Sequence, residues 1–372
     1  MMHAKQTAPS RIDQLATPAM VIDAVTVSRN MIRLETYAAA HDLDVRPHTK
    51  THKSRQLAAL QMAAGAVGLT AAKVGEAEIM AEAADDLLLA YPAIDPARTG
   101  RLVHLAAHRT VRVAIDSKRG AKLLGDAANR GSATLGILVD LDVGMGRTGV
   151  QTPSEALKLA QFIDSTSGLR LDGLFCYPGH INSPAEQQEP ALLAVSDKLI
   201  ETLELWTNHG LQARIVSGGS TPTAYQSHLV SEYTEIRPGT YIFNDMNTVR
   251  GGYCGLDDCA ARIICTVVST AVHGQVVIDA GSKTLTSDRC GPAPDSGHGY
   301  VVEYPEAKIT RLSEEHGQVD VRGCQRVPEV GERVTVIPNH ICPCVNLQDS
   351  VWWRDEEGQL HELLIDARGR LS

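Results

Sequence analysis

From Pro18 to about Phe243 the sequence alternates short apolar runs with longer amphipathic segments, a rhythm that admits few folds other than a parallel β/α architecture. Eight strands are predicted, near Met20–Asp23, Val45–His48, Gly68–Ala72, Leu87–Tyr91, Val111–Ile115, Gly136–Asp140, Leu171–Cys176 and Ala213–Ser217, with helical segments such as Pro153–Ile163 and Ala191–His209 between most of them. Eight such units predict a TIM-type (β/α)8 barrel. After about Val249 the texture becomes β-rich, over Ala261–Val272, Gln275–Ile278, Gly299–Glu303, Gln318–Val321, Arg333–Ile337 and His361–Ile365, with glycine and charged turns between. That predicts a second, all-β domain. The division expected is a barrel over 15–249 and a β domain over 250–372, which residues 1–14 can join.

A chain of 372 residues, 43% hydrophobic, buries enough apolar surface for two such domains. Its formal charge of −9 is spread along the chain, which argues against a nucleic-acid or anionic-membrane partner and for a small-molecule substrate. Met1 to Leu15 carries no apolar run of signal-peptide length, and no later stretch approaches the roughly 18 apolar residues of a membrane span, so a cytoplasmic location is expected. Eight irregularly spaced cysteines then read as reduced thiols.

Several segments carry chemistry. Val45-Arg46-Pro47-His48-Thr49-Lys50-Thr51-His52-Lys53 packs two lysines, two histidines and an arginine after an early strand, where a barrel has its catalytic rim. A lysine among other cations has its ammonium form disfavoured, which leaves more neutral amine to condense with an aldehyde. The plainer reading of this segment alone is a solvated basic turn. At Ser217-Gly218-Gly219-Ser220-Thr221 two glycines and a cluster of hydroxyls offer donors to a phosphate, in the last barrel units where such sites recur. The loop from Asp140 to Gly149 is glycine-rich and carries Arg147, and the strand near Leu171–Cys176 ends in Tyr177 and His180. Near the C-terminus, His340-Ile341-Cys342-Pro343-Cys344 follows a strand, and a His and a Cys two apart in extended chain point to one side, as joint metal ligands must. A packed histidine beside buried thiols is the alternative.

Pro18–Asp23 followed by the Arg-Pro-His-Thr-Lys-Thr-His-Lys run resembles the D-serine dehydratase and D-threonine aldolase family, fold-type III pyridoxal 5'-phosphate (PLP) enzymes related to alanine racemase. The similarity extends over nearly the whole chain. It implies Lys50 as the PLP lysine, with Lys53 the lesser candidate. It implies Arg147 at the ring hydroxyl, Tyr177 as a cofactor contact, the Ser217–Thr221 turn and Tyr241 at the phosphate, and His180 as an acid/base group. It also makes His340 and Cys342 ligands of a divalent metal, with zinc favoured by the soft donors and manganese the harder alternative, and leaves Cys344 without a role.

The reaction so implied is dehydration of a D-3-hydroxy amino acid, as by D-serine dehydratase, to a 2-oxo acid and ammonia. Retro-aldol cleavage to glycine or another amino acid plus an aldehyde is the alternative, and amino-acid racemisation, which needs no metal, a more distant one. A homodimer is implied by the same resemblance.

Overall fold

The computed structural model describes residues 11–372, and the chain forms two compact units, one of residues 31–239 with 369–372, the other of residues 11–30 with 240–368. This division differs from the expected one chiefly at the start of the chain, where β1 (Ala19–Asp23) joins the sheet of the later unit.

The first unit contains β2 (Asp44–Val45), β3 (Leu69–Ala71), β4 (Asp86–Leu89), β5 (Thr110–Ile115), β6 (Leu135–Asp140), β7 (Leu169–Phe175), β8 (Ile215–Gly218) and β9 (Glu235–Ile236). These eight strands are parallel and lie in the order β2-β9-β8-β7-β6-β5-β4-β3, and a parallel bridge from His48 to Thr70 joins the two ends of that series. The count of eight agrees with the sequence reading, but its membership does not. Met20–Asp23 is no barrel strand, and the two-residue β9 takes its place. The confusion has a physical source, because residues 19–22 are buried on both faces, as parallel barrel strands also are.

Amphipathic helices separate the strands. Pro153–Asp164 shows how local sequence starts one: Thr152 and Glu155 form a capping box and Pro153 occupies the first turn, while Ala156, Leu159, Ala160 and Ile163 make the buried stripe. Inside the barrel, Leu88, Ala114, Leu138 and Phe175 pack as one cluster.

Below that cluster the interior is ionic. Arg46 Nε donates to both oxygens of Glu235 at 2.8 and 2.9 Å, and its Nη1 to Asp86 at 2.7 Å. Asp86 is shared with Arg112, whose Nε reaches Asp172 at 2.7 Å. Buried carboxylates tolerate this depth only while paired. Arg46→Met is therefore expected to cost about 3–5 kcal/mol of stability, because Glu235, 3% exposed, keeps its charge and loses its guanidinium. Urea unfolding measures this, and a change below about 1 kcal/mol would contradict it.

The second unit holds β1 with β10 (Ala261–Ser269), β11 (Gln275–Ile278), β12 (Tyr300–Val301), β13 (Lys308–Leu312), β14 (Gly317–Asp320), β15 (Arg333–Ile337), β16 (Ser350–Arg354) and β17 (Leu360–Leu364) in one mixed sheet. Its path is β13-β14-β11-β10-β1-β16-β17, with β15 also on β10 and β12 on β15. β1 pairs antiparallel with β10 and parallel with β16, and Ala19 and Val21 pack with Leu15, Ile264 and Leu360. Sequence reading missed β13 and β16 as strands. Residues 11–15 lie with this unit, where Arg333 donates to the carbonyls of Ile12 and Leu15; the expectation for residues 1–10 lies outside the described residues. All eight cysteines are free thiols. Among the described residues no helix is long and apolar enough to cross a membrane.

Candidate active site

The basic run after β2 folds into a 3-10 turn, Thr49–Thr51, fastened from both sides. His48 caps it, its Nδ1 accepting the N–H of Lys50 at 3.4 Å, and Thr49 Oγ1 donates to the carbonyl of Thr70 at 3.0 Å. His52 is fully buried, accepting from Ser54 N–H and donating from Nε2 to Gln61, and burial pushes it down to about 4. Lys53 adopts a left-handed φ of +53° and its ammonium pairs with Glu76 in the interior. The run therefore sorts its own members: His52 and Lys53 are structural, and Lys50 is left exposed.

Lys50 lines a cavity of about 350 Å³, large enough for a small cofactor with substrate, together with His48, Lys73, Tyr91, Asp140, Arg147, Phe175, Tyr177 and Arg237. His48 is held well below the ordinary imidazole range by burial and then by the charges of Lys50 and Arg237, so it is neutral. Arg237 lies 3.8 Å over the Phe175 ring and donates to Ser217 Oγ and to the Cys176 carbonyl, each at 2.6 Å. Arg147 stands 4.8 Å over the Tyr177 ring. Its loop is built by Asp142, which accepts the N–H groups of Gly144 and Gly146, and by Gly149, where a Cβ would lie 2.4 Å from the Asp142 nitrogen. Asp140, at the end of β6, is raised to about 6, chiefly by burial and against a hydrogen bond from Thr148.

The glycine turn after β8 is rigid for a visible reason, since a Cβ on Gly218 would strike the Tyr233 ring at 2.1 Å. Many of its donors are committed within the fold. Ser217 donates to Glu235, Gly219 N–H to Tyr233, and Ser220 N–H to Thr223, while Thr221 accepts the N–H of Gly239 at 3.2 Å. The Ser217 hydroxyl is therefore a strut of the barrel interior rather than a ready phosphate donor. His180 is not part of the cavity lining; its ring packs against Gly144 of the arginine loop.

In the other unit, Tyr241 is buried on the short turn Thr240–Ile242. His340 precedes the helix Ile341–Asn346, so His340 and Cys342 are joined through a first helical turn and not through extended chain as expected. They meet all the same. Cys342 hydrogen-bonds His340, and His340 Nδ1 donates to Asp288 Oδ2 at 2.8 Å. Burial would lower this imidazole, but Cys342, Asp288 and Asp245 outweigh it and bring it to about 9. The protonated imidazole is thus favoured at this spot. Cys344 turns into the core toward the carbonyls of Leu285 and His340. Among the described residues no group of three or more His, Cys, Asp or Glu side chains is arranged to hold a metal ion.

Comparison with known proteins decides the family. Residues 22–246, more than half of the chain, match the alanine racemase N-terminal domain, and residues 260–353 match a serine dehydratase domain. The D-threo-3-hydroxyaspartate dehydratase of Delftia sp. strain HT23 is 31% identical over 88% of this chain and 91% of its own. The chain belongs to the alanine-racemase-like family of D-serine dehydratases and D-threonine aldolases. The crystal structure of D-threonine aldolase from Filomicrobium marinum has a TM-score of 0.91 at 27% identity, covering 99% of this chain and 100% of that one. A D-threo-3-hydroxyaspartate dehydratase with one cysteine changed to alanine, described in its metal-free form, has a TM-score of 0.88 at 26% identity, covering 96% and 99%.

Of the residues expected in this family's site, Lys50, Arg147 and Tyr177 come together at one cavity. Sequence reasoning gave no role to His48, Lys73, Tyr91 or Asp140, which line it too. The signal available for Lys73, Tyr91 and Asp140 was position, since each lies at or just past the C-terminal end of a barrel strand.

Proposed function

We propose that the protein is a PLP-dependent lyase for D-3-hydroxy amino acids, dehydrating them to a 2-oxo acid and ammonia with help from a divalent ion. The observation that carries this reading is the sorting of the two lysines: Lys53 is locked on Glu76, while Lys50 faces a cavity rich in cations and aromatic rings. An exposed amine, neutral His48 and a fixed arginine suit a negatively charged aldehyde cofactor.

PLP, when bound, supplies a ring that takes up negative charge from the substrate's α-carbon. Lys50 Nζ would hold the cofactor and then remove the α-proton. Arg147 and Tyr177 would orient the ring, and Gly218, Gly219, Ser220, Thr221 and Tyr241 would surround the phosphate. His180, after β7 and packed against Gly144 of the arginine loop, is kept as the second acid/base group. His340 and Cys342 would hold the ion, which supplies Lewis acidity at the 3-hydroxyl oxygen. Thiol and imidazole are soft donors, which favours zinc over manganese. The metal-free description of a related cysteine variant supports a metal in this reading. A cytoplasmic homodimer completes the proposal, in keeping with the family resemblance.

Retro-aldol cleavage is the second reading, favoured by the TM-score of 0.91 to a D-threonine aldolase. Incubating the holoenzyme with D-serine, D-threonine and D-3-hydroxyaspartate, and scoring 2-oxo acid, ammonia, aldehyde and glycine, separates the two. Dehydration gives 2-oxo acid and ammonia in equal amounts. Aldehyde with glycine selects the aldolase, and L-enantiomer without either product overturns both in favour of a racemase.

A further inference from the structure

Lys73 is a cation at the cavity to which no task has been given. It follows the end of β3 and precedes the helix Val74–Met80, and its ammonium sits 3.5 Å over the ring of Tyr91, itself just past β4. The neighbouring acid cannot neutralise it, because Glu76 takes Lys53 on one oxygen and the N–H of Ala72 on the other. Among the described residues no carboxylate lies within ion-pair distance of Lys73. Arg98, which approaches the same ring at 5.8 Å, is by contrast paired with Asp95.

The charges of the cavity wall do not balance. Lys50, Lys73, Arg147 and Arg237 face a single carboxylate, Asp140. On the reading proposed above, Lys50 is consumed by the cofactor, Arg147 attends the ring, and Arg237 is tied to Ser217 and the Cys176 carbonyl. Lys73 remains over, positioned on an aromatic face at the strand ends where barrel enzymes read their substrates. A cation kept unpaired at such a wall is matched by a ligand that brings its own negative charge.

We propose that Lys73 determines specificity by holding the second carboxylate of a dicarboxylic D-3-hydroxy amino acid, so that 3-hydroxyaspartate is preferred to D-serine and D-threonine. The inference rests on the lyase reading for its reaction, but not for its charge recognition. Tyr91 serves as the shelf under the Lys73 ammonium.

The test uses holoenzyme in two arms. In the first, kcat/KM is measured for D-3-hydroxyaspartate and D-threonine in wild type, Lys73→Met and Lys73→Arg. The ratio between the substrates should fall by roughly 30-fold in Lys73→Met, the size of one charge-assisted hydrogen bond, through KM for the dicarboxylate, and recover in Lys73→Arg. In the second, calorimetry compares tartrate with glycerate, oxygen analogues that lack the reacting amine. Wild type should bind tartrate at least about 10-fold more tightly, and Lys73→Met should bind the two alike. An unchanged ratio, or equal loss on both substrates with release of PLP, overturns the specificity role. If no D-3-hydroxy amino acid is turned over by wild type, the lyase reading fails, and the tartrate preference still decides Lys73.

Discussion

Lys50→Ala abolishes both the reducible link to PLP and turnover of D-3-hydroxy amino acids, a loss of at least on the order of 10³-fold, whereas Lys53→Ala keeps the link. The structure makes these two lysines, three residues apart, opposites. Lys50 is exposed at the cavity, and Lys53 is 5% exposed with its ammonium on Glu76. Removing Lys53 leaves the Glu76 carboxylate buried with the N–H of Ala72 as its remaining partner, which should cost about 3–5 kcal/mol. The two variants therefore fail in different measurements. Lys50→Ala should unfold in urea much as wild type does and show no label after borohydride reduction and peptide mapping. Lys53→Ala should label normally at Lys50 and unfold at lower urea. A label on Lys53 in wild type would refute the assignment.

Treating the enzyme with a chelator should remove activity and leave the absorbance of bound PLP intact, because the residues proposed for the two tasks are different. Zinc should then restore activity at least as well as manganese. The geometry adds a sharper form. Asp288 holds His340 through Nδ1, which on the proposed reading leaves Nε2 to serve the ion together with Cys342. Asp288→Ala should accordingly weaken metal affinity about 10- to 100-fold although it removes no ligand. Cys342→Asp replaces a soft donor by a hard one and should move the preference toward manganese. Metal content of wild type and His340→Ala, measured beside activity, is decisive: full activity in metal-free wild type would end the metal proposal.

The barrel was legible because its strands carry an apolar signal that does not depend on what they pair with. Pairing is another matter. Ala19–Asp23 was visible as a strand, but nothing within those five residues says that β10 and β16 flank it. The strand that does complete the barrel, Glu235–Ile236, is too short to show any period. β13 escaped notice because Lys308, Thr310 and Arg311 are exposed, leaving little apolar alternation. At the site, Lys50, Arg147 and Tyr177 were legible through motifs. The Lys73–Tyr91 pair was not, since it joins the ends of two strands and exists only once β3 and β4 are paired. Local chemistry misled in one place: the hydroxyl of Ser217 looked available beside two glycines, and the fold uses it to bridge Glu235 and Arg237.

The placement of β1 has a consequence for how the chain is made. On the ribosome it emerges well before its neighbours, which are Ala261–Ile264 and, later still, Trp352–Arg354. All the residues of the barrel unit up to Gly239 are synthesised before either partner exists. During that interval the apolar run Met20, Val21 and Ile22 lacks both of its strand partners, a state prone to pairing with other chains. Expression yield should depend on holding chaperones and on translation speed through this delay, and aggregation of nascent chains should be traceable to a segment that the finished protein keeps buried.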